Sequence, residues 1–309
     1  RDSAVMNRGK TVFAENCAAC HSSKQPPERI ASNSDEARQW YRESVMRPDF
    51  REDNFLSNDK RYPVSRVKTN ACRAMASNAT AGHIWANFSS DTYKTLEPVG
   101  LLDAFNPIDE SSLYRLNAPA GGVGYYRPPS LISIWSSAPF LHNNALGSFT
   151  GDPSVAGRMQ AFNDAIEKLL WPERRAGKAS IWVTTRDSFL KIPEPFVPEL
   201  LRPLCRDDFL RIGPIPQGTP INLLANFDPD FDNLLKLAPT VNALLAENVS
   251  KKGHFPFNAR SDDKALKGLV GVLMSASKCP DLIEDHGHEF GANLPDSDKR
   301  ALIEFLKTL

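Results

Sequence analysis

The chain lacks most of the features that disclose a function at first sight. It has no charge excess, because 37 Lys and Arg balance 37 Asp and Glu over 309 residues. That balance argues against a dedicated nucleic-acid or anionic-membrane surface, since both need clustered positive charge. No apolar run approaches the roughly 20 residues that cross a bilayer; Leu269 to Met274 is far too short. There is no internal repeat, no low-complexity tract, no Ser-His-Asp arrangement and no glycine-rich phosphate loop. No signal peptide is visible, and the first residue is Arg1, which implies processing or excision from a longer chain. Cysteine and histidine are scarce, at 5 and 6 residues. What remains is the 41% hydrophobic, 24% charged composition of an ordinary globular protein.

Against that scarcity, two of the cysteines and one histidine fall together as Cys17-Ala18-Ala19-Cys20-His21. Two thiols two residues apart, followed at once by an imidazole, form the attachment signature of a c-type haem. Each thiol can add to a porphyrin vinyl group while the histidine reaches the iron from the same side. In a chain of this composition chance would produce the pattern on the order of 10⁻³ times. A zinc site would need two further ligands at knuckle-like spacing, and Cys72, Cys205 and Cys279 stand alone. The expected cofactor is therefore one covalently attached haem c. Its assembly outside the bacterial cytoplasm implies an exported, periplasmic protein, where one disulfide among the other three cysteines is plausible.

Apolar periodicity predicts a helix over Ser3 to Asn16, with Val5, Met6, Gly9, Val12 and Phe13 on one stripe. Asp296-Ser297-Asp298 offers an N-cap for a closing helix whose apolar face is Leu302, Phe305, Leu306 and Leu309. Between them, Ser34-Asp35-Glu36 should cap a helix to about Met46, ended by Pro48. Ser154 to Leu170 should be a helix with Val155, Met159, Phe162, Ile166 and Leu169 on one side. Leu234 to Ser250 and Asp263 to Ser277 are further helices, with short ones over Asn70 to Ser77 and Asp91 to Thr95. Ser180 to Thr185 and Ser188 to Ile192 could pair as a small hairpin, and the proline-dense Pro193 to Pro220 reads as extended loop.

Haem iron needs a second axial decision, either a strong ligand for electron transfer or an open position for peroxide or dioxygen. The candidates are His83, His142, His254, His286 and His288, with Met75, Met159 and Met274 as thioether alternatives. The segment Tyr126-Arg127-Pro128-Pro129-Ser130-Leu131-Ile132-Ser133-Ile134-Trp135-Ser136-Ser137-Ala138-Pro139-Phe140-Leu141-His142-Asn143-Asn144 resembles the stretch after the second haem motif of the dihaem cytochrome c peroxidase, MauG and rubber-oxygenase superfamily. The closing stretch, Asp285-His286-Gly287-His288-Glu289-Phe290-Gly291 and then Asp298 to Leu309, resembles the ends of the oxygenase branch. The resemblance also includes Gly9 to Cys17 and does not extend to residues 193–264. It implies a chain crossing like that of small cytochromes c, with Gly9 and Phe13 against Phe305. It further implies His288 as the distal ligand, with Met159 as the peroxidase-type alternative. Arg127 and His142 are cofactor-binding candidates, Arg127 through a haem propionate. Trp85, Tyr125 and Trp135 are candidates to line the haem or an electron path, or else simply to fill the core, and His286 would be exposed or a hydrogen-bond partner near the site. The family carries two CxxCH motifs and this chain one, whose flanks match the second.

The expected fold is mainly α: a single c-type cytochrome domain over residues 1–309, closed by core helices at about 3–21 and 296–309. A very long helical and loop elaboration, about 22–285, would carry one small β-hairpin. The expected function is a bis-His haem electron-transfer domain, the C-terminal half of a dihaem peroxidase- or oxygenase-like protein, whose partner is a redox protein or a second haem domain. The alternatives are a peroxidase or dioxygenase acting at this haem, a His/Met electron carrier, or a domain kept for docking on a catalytic half.

Overall fold

A computed structural model describes residues 2–71, 74, 95–105, 113–118, 124–142, 144–175, 183–215, 217–252, 264–277 and 285–309. The longer helices are α1 (Ser3–Asn16), α2 (Asp35–Met46), α3 (Val155–Leu170), α4 (Phe231–Lys252), α5 (Lys264–Ser275) and α6 (Asp296–Leu306). The strands are β1 (Tyr62–Pro63), β2 (Gly100–Phe105), β3 (Leu113–Ala118), β4 (Tyr125–Tyr126), β5 (Ser188–Pro193) and β6 (Phe209–Ile215). Helix outweighs strand, and the sheets are two-stranded: β1 with β4, β2 with β3, β5 with β6. Among the described residues no helix is long and apolar enough to cross a membrane. The chain divides into two compact units. The first comprises residues 1–70, 124–176 and 285–309; the second comprises 71–123 and 177–284.

The first unit is built on the crossing of the two terminal helices. The Asp2 carboxylate caps α1 by accepting from Ala4 N–H at 2.9 Å, and the buried face is Gly9, Val12, Phe13 and Ala14. Gly9 is where α6 comes closest. A Cβ there would overlap the Ala301 carbonyl oxygen and lie 2.8 Å from Phe305 Cβ. One turn on, Phe13 meets Phe305 edge to face, with ring centroids 5.3 Å apart and planes at 63°. Outside the apolar seam, Arg8 donates two bonds to the Asp298 carboxylate, at 2.7 and 2.6 Å. Those bonds and the guanidinium charge hold the Asp298 carboxyl below its usual range. The expected N-cap from Asp296-Ser297-Asp298 is corrected: Pro295 is the cap residue, without a side-chain bond, and both aspartates lie in the first turn. They bond outward instead, Asp296 accepting from Trp171 Nε1 at 2.9 Å.

Helices α2 and α3 complete this core. The Ser34 hydroxyl accepts from Ala37 N–H at 3.1 Å and starts α2 where its cap residue dictates. The Ser154 hydroxyl does the same for α3 through Gly157 N–H, which stops before Pro172. The α3 face that is buried is Gly157, Ala161, Phe162, Ala165, Ile166 and Leu170. The expected stripe through Val155 and Met159 is rotated from it: Val155 is 66% exposed and Met159 only half-buried. Small residues let α3 approach its neighbours closely, and a count of large apolar side chains overlooks them.

In the second unit α4 and α5 pack together with β5 and β6, burying Ile215, Leu223, Leu237, Leu269, Leu273 and Met274. The expected hairpin of 180–185 with 188–192 is corrected: β5 pairs antiparallel with β6, Lys191 opposite Arg211. Strand β6 lies inside the proline-dense stretch read as loop. Pro214 is tolerated there because each strand of a two-stranded ribbon keeps an unpaired edge. The short helices expected over Asn70 to Ser77 and Asp91 to Thr95 fall largely outside the described residues.

Candidate functional site

Helix α1 runs directly into the five-residue motif. Cys17 and Ala18 N–H groups both bond the Phe13 carbonyl at 2.9 Å. Cys20 N–H and His21 N–H then bond the Cys17 carbonyl, at 3.1 and 2.8 Å. These three- and four-residue closures wind one turn, and positions 17, 20 and 21 share a face of such a turn. Both cysteines are half-buried free thiols. Burial first, and then the proximity of Cys20, pushes the Cys17 thiol up to about 12, so it is held neutral.

His21 is oriented by main-chain carbonyl oxygen. Its Nδ1 lies 3.2 Å from the Pro129 carbonyl oxygen. A carbonyl only accepts, so Nδ1 carries the proton and Nε2 carries the lone pair. Burial takes the imidazole down to about 4, against the opposing pull of the Pro129 and Leu56 carbonyls. It is therefore neutral at neutral pH, the form that ligates a metal.

The acceptor is fixed in turn by the strip 54–58, which lies between the motif and residues 128–131. Ser57 Oγ donates to the Pro128 carbonyl at 2.7 Å, and Ser130 Oγ to the Phe55 carbonyl at 2.7 Å. On the motif side, Asn58 N–H bonds the Cys20 carbonyl at 2.9 Å, and Asn58 Nδ2 bonds the Ala19 carbonyl at 2.8 Å. Asn54, 5% exposed, organises the strip. Its Oδ1 accepts from Ser23 N–H and Leu56 N–H at 3.0 Å each, and its Nδ2 donates to Ser22 Oγ and the Phe50 carbonyl at 3.1 Å each.

His288 lies in the loop that precedes α6. Its Nδ1 is buried and has no hydrogen-bond partner among the described residues. Burial, then positive charge at His21 and at Arg175, lowers this imidazole to about 4. His21 and His288 belong to the same compact unit, although 267 residues separate them in sequence. The Phe290 ring sits 5.5 Å from that of His288, tilted at 51°.

The other sequence candidates fall elsewhere or carry other contacts. Arg127 is exposed and pairs with Asp59 at 2.8 Å, an ordinary surface ion pair. His142 is exposed, its ring stacked on Tyr126 at 5.0 Å and 25°. Met274 belongs to the core of the second unit. His286 is half-buried, with burial lowering its imidazole, and its carbonyl accepts from Asn70 N–H and Thr69 Oγ. Trp135 packs on the first core, and Tyr125 pairs with Pro63 in the β1–β4 ladder. His83, Trp85, Met75, His254, Cys72 and Cys279 lie outside the described residues, while Cys205 is a half-buried free thiol.

Sequence reasoning missed Asn54, the Pro129 carbonyl and Arg175. A main-chain acceptor has no residue identity to recognise, and Asn54 and Arg175 sit in no motif. Among the described residues no group of three His, Cys, Asp or Glu side chains converges on a site for a bare metal ion. No family model, no curated protein and no solved structure matches this chain.

Proposed function

We propose that this chain is a c-type cytochrome domain that carries one haem between His21 and His288 and serves electron transfer. The observation that carries the reading is His288, whose buried ring nitrogen has no hydrogen-bond partner among the described residues and which shares a compact unit with His21. A buried polar atom left unsatisfied costs about 1–3 kcal/mol, so a missing partner is the economical explanation. Two free thiols and a neutral imidazole on one turn fit thioether attachment with His21 Nε2 on the iron. Bound there, haem would supply a one-electron couple between ferric and ferrous iron.

The chain's own residues would shape that couple. The Pro129 carbonyl fixes the His21 ring and, by accepting from Nδ1–H, raises the basicity of Nε2. His288 would be the residue that holds the haem from the other side and excludes water and peroxide from it. Two imidazoles lack the thioether that raises the potential of His/Met cytochromes, so the potential should be comparatively low. Its partner, by the resemblance to the dihaem peroxidase and oxygenase superfamily, would be a second haem domain or another redox protein, in the periplasm.

Replacing His288 by Ala tests the ligand assignment. The covalent haem should stay, while the oxidised protein changes from six-coordinate low-spin to high-spin or water-ligated and binds azide faster. The Met159→Ala variant should keep the parent spectrum. A loss of the low-spin signal in Met159→Ala, with none in His288→Ala, would establish the His/Met arrangement instead.

A further inference from the structure

The loop that carries His288 is held by its backbone, not by its ring. Three successive carbonyls, of residues 286, 287 and 288, each accept a hydrogen bond. Asn70 N–H and Thr69 Oγ hold the first, at 2.7 and 3.0 Å. Arg175 holds the other two: Nη1 donates to the Gly287 carbonyl at 3.1 Å, and Nη2 to the His288 carbonyl at 3.3 Å. The same guanidinium donates from Nε to the Lys168 carbonyl at 2.8 Å and from Nη2 to the Leu169 carbonyl at 3.0 Å. Lys168 and Leu169 belong to the last turn of α3, where the helix leaves its final carbonyls without main-chain donors. One planar fork therefore joins the end of a rigid helix to the main chain of His288.

The seam between them has no slack. A Cβ on Gly287 would lie 2.7 Å from Leu169 Cδ1 and 3.1 Å from Leu146 Cδ2, so the loop rests directly on α3. By contrast the His288 ring has no described hydrogen bond at Nδ1. From this geometry we infer that Arg175 is a positioning residue, whose four carbonyl bonds set where the His288 imidazole stands relative to His21. The inference rests on the haem reading above and deepens it, because it names what fixes the sixth ligand. Arg175 touches no reacting atom in this account; it acts through the loop.

The test compares the whole protein with Arg175→Met, Arg175→Lys and His288→Ala, each matured with covalent haem. Ferric absorption and paramagnetic resonance spectra, azide-binding rates and melting temperatures are measured on each. Arg175→Met should acquire a high-spin fraction and bind azide on the order of 10- to 100-fold faster, approaching His288→Ala. Arg175→Lys should move the same way, because an ammonium keeps the charge but cannot span four acceptors. If Arg175→Met does not fold, the lysine variant alone decides. A variant with a lowered melting temperature but the parent low-spin spectrum, and azide rates within about twofold of the parent, would show a merely structural role and overturn the inference. An Arg175→Lys protein with wholly parental spectra would also overturn it, by assigning the effect to charge alone. A parent protein without covalent haem, or already high-spin, removes the haem reading and this inference together; the variant-only outcomes remove this inference alone.

Discussion

Asn54 illustrates how much of the site hangs on single polar side chains. It lies 33 residues beyond His21 and makes no contact with the imidazole among its hydrogen bonds, yet both ends of its amide brace the strip that positions the His21 acceptor. Asn54→Ala would leave Leu56 N–H, Ser23 N–H and the Phe50 carbonyl to find new partners in a buried place. The cost should be about 3 kcal/mol, as buried groups left unsatisfied imply. Chemical denaturation should show it as a lower midpoint with an unchanged slope; a loss below about 0.5 kcal/mol would mean that water replaces the amide at no expense. At this scale the sequence is legible only where chemistry and spacing coincide. Cys17, Cys20 and His21 declare themselves because their side chains are chemically rare and sit on one turn. Asn54, Pro129 and Arg175 act on or through main-chain carbonyls, which every residue possesses.

Among the elements, the crossing of α1 and α6 is where sequence and structure agree most closely. A glycine in mid-helix costs about 1 kcal/mol against alanine, so it asks for a packing reason. The reason is the Ala301 carbonyl and Phe305 at its surface. Gly9→Ala should therefore destabilise the protein by about 1–3 kcal/mol in spite of the better helix propensity, because two backbones must separate. Thermal melting checks it, and a stabilised variant would mean that the helices are free to part. Helix starts were legible wherever a serine caps them, as at Ser34 and Ser154. Strand pairing was not, since β5 has a partner some 20 residues on rather than the nearer segment, and period-two alternation does not specify a partner. Apolar periodicity also hides the buried side of α3, because Gly157, Ala161 and Ala165 are buried without being strongly apolar.

Taken as a whole molecule, the chain brings its two ends together in one unit and commits residues 71–123 and 177–284 to another. Composition and length announce neither fact. A local signature marks Cys17, Cys20 and His21, whereas the proposed second ligand, His288, lies 267 residues away in sequence, and no local pattern links the two. Closing such a long loop adds little further entropy cost once the terminal helices are paired, which is why so large an intervening segment is tolerable. Every role proposed for the site requires a haem joined to Cys17 and Cys20. The most direct measurement is the intact mass of the protein, matured in a host that exports and attaches haem, after extraction with acidic acetone. The mass should exceed that of the polypeptide by one haem, with the colour remaining in the protein fraction. A bare polypeptide mass with the colour in the organic layer would contradict it.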